Sequence, residues 1–174
     1  MRIDFLSFCA SLFLFVVIYS CENNSKRNEA PVAPKGMRYV DISRSGMSLF
    51  VAAPDSTSGV LDTLFDSSSK VYLSVGKAFK LIVEENEMSI ATKKEELKNT
   101  TSEIELVKSY VVDNDSCLLW ETTIGEISKH HFYYVFKYGK RRISFTSPAE
   151  EIFSKQEAAQ MLEACKLTTE KNTN

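Results

Sequence analysis

The chain has 174 residues, and at about this length there is room for one ordinary domain. A domain of that size buries about two-thirds of its unfolded surface, so it folds without a metal or disulfide staple. With 21 Lys and Arg against 23 Asp and Glu, the net charge of −2 lacks the basic excess that nucleic acid binding requires.

The first segment, Phe5 to Ile18, is apolar except for Ser7 and Ser11. A run of about 14 residues is short for a transmembrane helix, which needs about 20, and it suits the apolar core of a secretory signal. Arg2 supplies the positive start, and Asp4 offsets it. The segment ends Ile18-Tyr19-Ser20-Cys21, which resembles the lipobox of bacterial lipoprotein signals: an aliphatic residue three before the cysteine and a small residue directly before it. The resemblance implies a signal peptide over residues 1–20, a diacylglyceryl thioether on Cys21, cleavage before that cysteine and acylation of the new amine. Several acyl chains at about 0.8 kcal/mol per buried methylene make a permanent anchor. The competing reading is an uncleaved signal anchor. Lys26 and Arg27 after the apolar run, against Arg2 alone before it, give the wrong charge bias for that topology.

Residues 21–36 continue as a polar, proline-containing tether with almost nothing to bury. As a flexible coil of about 15 residues it holds the domain roughly 20 Å from the bilayer. The domain is expected over 37–168, with a disordered tail over 169–174.

Within the domain, Tyr39–Ile42 and Ser48–Ala53 read as strands around a Ser45-Gly46 turn, with Pro54 as a stop. Asp55–Lys70 reads as a long surface loop pinned by Val60, Leu61, Leu64 and Phe65. Val71–Val75 and Ala78–Glu84 form a hairpin turning at Gly76-Lys77, with Phe79, Leu81 and Val83 on one face. Thr92-Lys93-Lys94-Glu95 has the pattern of a capping box, which predicts a helix over about Lys93–Asn99. A strand over Leu106–Val112 follows, turning at Asp113-Asn114-Asp115. In Cys117–Thr122, Cys117 and Leu119 point one way and Leu118 and Trp120 the other, so this strand is covered on both faces. The next hairpin spans Phe132–Thr146. Pairing Lys137 with Lys140 sets Tyr134 opposite Ile143 and Phe132 opposite Phe145, which predicts a buried Tyr134 and a more exposed Tyr133. Ser154-Lys155-Gln156-Glu157 is a second capping box, opening a helix whose stripe is Ala158, Met161, Leu162 and Cys165.

This order comprises an early "GMSLFVAAP" strand, a short Lys/Glu helix, then "SYVVDNDSCLLWETT", "HHFYYVFKY" and "RRISFTSP", and a closing amphipathic helix. Over roughly Tyr39–Leu167 it resembles the PsbP-like α/β/α sandwich family. The resemblance implies an α+β fold, an antiparallel sheet with helices packed on it. It also implies a binding or assembly role rather than catalysis, and it transfers no functional residue.

Of the four cysteines, Cys9 falls in the signal and Cys21 carries the lipid. Cys117 and Cys165 remain. A disulfide between them would close a loop of about 50 residues and contribute about 4 kcal/mol; the alternative is two buried thiols acting as small hydrophobes. The two histidines, His130 and His131, read as exposed at a strand start, on opposite faces and without a metal-ligand cluster. No GxSxG, HExxH or Gly-rich phosphate loop is present, so no cofactor is expected. The acidic clusters at Glu84, Glu85 and Glu87, at Glu95-Glu96 and at Glu150-Glu151 read as solvated helix ends and loops. Lys137, Lys140, Arg141 and Arg142 form a basic hairpin tip, either solvated or a contact for an acidic partner, lipid headgroups or polyanionic surface sugars. The expectation is therefore a lipid-anchored, non-catalytic binding or assembly module of the bacterial envelope, at the outer membrane. Its partners would be the membrane through Cys21 and a protein or glycan of the envelope. The alternative is an envelope hydrolase acting on cell-wall or glycan material.

Overall fold

Among the described residues, apolar side chains repeating every second residue mark most of ten strands, and two helices accompany them. The computed structural model describes residues 30–66, 68–100 and 105–171. Strands β1 (Met37–Asp41) and β2 (Leu49–Pro54) pair antiparallel across a single 3-10 turn at Ser43–Ser45. Gly46 closes that turn at φ 85°, a left-handed conformation that costs glycine nothing. A larger antiparallel sheet is built from β3 (Leu61–Phe65), β4 (Val71–Val75), β5 (Phe79–Glu85), β6 (Glu105–Asp113), β7 (Cys117–Ile124), β8 (Ile127–Tyr138) and β9 (Arg141–Thr146). Its spatial order is β3-β4-β5-β9-β8-β7-β6. Helix α1 (Ile90–Thr100) connects β5 to β6, and α2 (Lys155–Lys166) follows β9.

The expected α+β class is what forms, with both sheets antiparallel. The two-faced strand behaves as its sequence demands. Cys117 and Leu119 join the main core with Phe132, Ile143 and Phe145, beneath the small sheet and α2. Leu118 and Trp120 join a second cluster with Tyr133 and Ile90, on the face that α1 covers. Helix α2 also forms as expected. Ser154 Oγ accepts from the Glu157 backbone N–H at 3.2 Å, and Glu157 reaches back to the Ser154 N–H at 2.8 Å, closing the capping box. Ala158, Met161, Leu162 and Cys165 are all buried.

Five expectations are corrected. The segment read as a loop contains β3, because Leu61, Thr63 and Phe65 alternate with exposed Asp62 and Leu64 and pair with β4. Leu61 and Phe65 pack on the core, whereas Val60 and Leu64 stay exposed and pin nothing. Helix α1 begins three residues before Lys93. Its cap is Ser89, whose Oγ accepts from Thr92 N–H at 3.1 Å, so Thr92 is the third helical residue and not the cap. The β8–β9 hairpin pairs Lys137 with Arg142 and Tyr134 with Phe145, two residues from the expected register. Gly139 at φ 59° opens a two-residue turn between Tyr138 and Arg141, and that geometry sets the pairing. A shift of two preserves faces, which is why the core assignment survived the wrong register.

Tyr133, expected to be the more exposed of the two tyrosines, is 3% exposed, and Tyr134 is only half-buried. The cause is α1. Tyr133 donates its hydroxyl to the Met88 carbonyl at 3.3 Å, and Lys93 lies over its ring. Last, the chain does not fray at residue 169: Thr169–Glu170 forms β10, pairing with Phe50 and Leu49 of β2. Lys171 extends this contact, donating its N–H to the Ser48 carbonyl and its ammonium to Asp41 at 2.6 Å.

Candidate functional site

Among the concavities formed by the described residues, two lie on opposite sides of the sheet. The larger is a groove of about 580 Å³ between α2, the start of β1 and the β4–β5 turn. Its volume lies in the range of ordinary small-molecule sites. The sequence builds it in three steps. Met37 begins β1 opposite Pro54 and lies at one end of the groove. Val75, the last residue of β4, and its partner Phe79, the first of β5, supply a shut apolar floor, exposed by 2% and 4%. Ala159 and Ala164 of α2 complete the wall, and these small side chains leave the space unfilled. Gly59 matters here: a Cβ on it would meet the Gly76 backbone nitrogen at 2.9 Å, so only glycine lets the loop before β3 lie against the β4–β5 turn. Gly76 N–H then donates to the Val60 carbonyl at 3.4 Å, holding Ser58 at the groove's edge.

The groove rim is the polar side of α2. Gln156, Gln160 and Glu163 lie along it at helical spacing. Glu163 is paired with Lys166 at 2.6 Å, and that carboxylate holds the Lys166 ammonium above its ordinary value. The rim is therefore hydrogen-bonding but nearly charge-neutral.

The smaller concavity, about 190 Å³, lies under α1 on the opposite face of the sheet. Trp120 and His131 are cross-strand partners at its base, with ring centres 5.8 Å apart. Ser147 Oγ sits 3.2 Å from His131 Nδ1 and accepts from the Phe132 N–H at 3.4 Å. Lys93 and Glu96 of α1 form an ion pair at 2.9 Å on its wall. His131 is thus corrected from an exposed strand-end residue to one that is 5% exposed in the middle of β8. His130 is half-buried, and its backbone N–H donates to the Phe153 carbonyl at 3.0 Å. The two histidines do face opposite ways, as strand geometry requires. The sequence hides the Ser147–His131 pair because β8 starts at Ile127, which puts His131 inside the strand and not at an exposed strand start.

Cys117 and Cys165 are both free and buried. They share the space beneath α2 with Tyr134, whose phenol is raised first by burial and then by these two sulfurs. Burial also pushes the Cys165 thiol well above its ordinary value. A buried thiol of that kind is a packing group and not a nucleophile. Cys21 lies outside the described residues.

The basic tip is divided. Arg141 makes a two-point pair with Glu85 at 2.5–2.6 Å, which holds that carboxyl below its ordinary value, and Arg142 donates to the Glu87 carbonyl at 3.1 Å. Lys137 and Lys140 are exposed. The acidic pairs are largely matched by cations: Glu84 by Lys70 at 2.8 Å, Glu96 by Lys93, and Glu151 by Lys80. Among the described residues, no group of three or more His, Cys, Asp or Glu side chains is placed to hold a metal ion. No described helix is long and apolar enough to cross a membrane.

No family model, no curated protein and no solved structure matches this chain.

Proposed function

We propose that this chain is a lipid-anchored, non-catalytic binding module of a bacterial cell envelope. It is held at the outer membrane through Cys21 and carries its ligand on a PsbP-like α/β/α sandwich. The observation that carries the binding reading is the 580 Å³ groove, which has a shut apolar floor and a neutral polar rim and opens beside Gly36 and Met37, where the tether joins the domain. A few convergent polar groups around an apolar floor are the usual composition of a ligand site. The anchoring reading rests on the apolar run from Phe5 to Ile18 and on Ile18-Tyr19-Ser20-Cys21. The sandwich reading is supported by α1 and α2 clustering with opposite faces of the seven-stranded sheet.

The test is metabolic labelling with palmitate. Label should enter the wild-type chain and be lost from Cys21→Ser, and the Cys21→Ser domain should still fold. Equal labelling of the two chains defeats the anchoring reading.

The hydrolase reading has one observation behind it, the Ser147–His131 pair, since a serine within reach of an imidazole is the start of an activated nucleophile. Its surroundings point the other way. Ser147 is 4% exposed, and its oxygen already accepts the Phe132 N–H, so it straps the segment after β9 to β8. Binding is the function the geometry supports best.

A further inference from the structure

The occupant of the groove can be narrowed by where the chain leads and by what the rim is able to recognise. This inference rests on the lipoprotein reading of Cys21. The tether between Cys21 and the domain ends at Gly36 and Met37, and both residues line the groove. A chain of about 15 residues with coil statistics spans roughly 20 Å, a length that brings acyl chains on Cys21 within reach of the groove mouth. A group held on so short a linker is present at an effective concentration in the millimolar range.

The chemistry of the lining agrees. Val75, Phe79 and Ala164 give a floor without polar side chains, and Ala159 keeps the channel open. Among the described lining residues Glu163 is the one ionisable side chain, and Lys166 neutralises it. No lysine or arginine lines the groove to receive a phosphate or a free carboxylate. Gln156 and Gln160 can instead donate their amide N–H groups to neutral ester carbonyls. A glyceryl thioether carrying fatty esters is a neutral lipid of that kind.

We infer that the groove between α2 and the β4–β5 turn seats one acyl chain of the protein's own Cys21 anchor. The remaining chains stay in the bilayer, and more than one is enough for stable attachment. The seated chain draws the groove face of the domain onto the membrane, so the groove sets both the distance and the orientation that the tether alone would leave open.

Photo-crosslinking of the full lipidated chain in phosphatidylcholine vesicles tests this. A benzoylphenylalanine is placed at Gln160, exposed on the groove rim, or at Glu95, exposed on α1 across the sheet. After illumination and digestion, mass spectrometry is expected to find Gln160-site adducts on the lipid of the peptide that begins at Cys21. Their yield should exceed that at the Glu95 site at least about tenfold, as a tethered millimolar ligand permits. Ala159→Trp, which narrows the channel, should remove that excess. Adducts to phosphatidylcholine alone, equal yields at the two sites, or no adduct on a lipidated Cys21 peptide would each overturn the seat while leaving the anchor standing. An unmodified Cys21 in the same digest would overturn the anchor and the seat together.

Discussion

The two faces of the seven-stranded sheet carry two cores of unequal size. Under α2 and the small sheet the core is deep. Met161, Leu162 and Cys165 are at most 1% exposed, and Phe132, Phe145 and Phe153 lie in the same cluster. Under α1 the buried apolar side chains among the described residues are Ile90, Leu118, Trp120 and Tyr133, and Leu97 and Met88 are half-covered. One strand, β7, feeds both: its odd residues Cys117 and Leu119 enter the first core, its even residues Leu118 and Trp120 the second. A helix held by a full apolar stripe is locked into the fold. A helix held by a few side chains and ion pairs is a cover that leaves space beneath it, and the His131 cleft is that space.

Truncation gives the largest expected contrast. Leu162→Ala empties a packed site and should cost about 2–5 kcal/mol in chemical denaturation of residues 30–171. That is a large share of the stability of a single domain. Leu97→Ala, on the half-covered helix, should cost about 1 kcal/mol, the ordinary size of a point change. Equal costs would remove the distinction between the two faces.

Legibility followed the same division. The α2 stripe and its capping box were readable because both are local patterns written in consecutive residues, Ser154 to Cys165. The two-faced character of β7 was readable because four apolar residues in succession, Cys117 to Trp120, fill both faces of a strand. Tyr133 was not readable, since its burial depends on where α1 settles, and the Thr92 pattern misplaced that helix by one turn. The β8–β9 register depended on Gly139 taking a left-handed turn, whereas face assignment needed only the period of two. Strand β3 was hidden because Ser, Thr and Asp surround it, and its pairing with β4 is a tertiary choice. The groove was not legible at all: nothing local brings Met37, Val75 and Ala159 together. The polar stripe of Gln156, Gln160 and Glu163 opposite small alanines was the one available sign.

Smaller effects sharpen the contrast. Ser154→Ala should cost about 1 kcal/mol by loosening the start of α2. The Glu157 carboxyl is held below its ordinary value of 4.5, first by the Ser154 backbone N–H and then by its hydroxyl. A depressed carboxyl contributes stability that is fully present above its unfolded value and is lost as pH falls through the lower folded value. Stability should therefore decline below about pH 4.5 in part through this group, and Glu157→Gln should remove that part of the slope in acid titrations monitored by circular dichroism. Gln160→Ala, on the exposed side of α2, should stay within about 0.5 kcal/mol of the parent. A larger loss would mean that the groove rim carries stability, which the packing does not predict.

The proposed attachment of a folded module to a lipid on Cys21 is read straight from the intact mass of the mature chain. Mass spectrometry of protein extracted from membranes should show a chain that begins at Cys21, heavier than its sequence by a glyceryl group and several acyl chains. A mature chain that begins at any other residue, or that carries Cys21 as an unmodified thiol, would contradict the account.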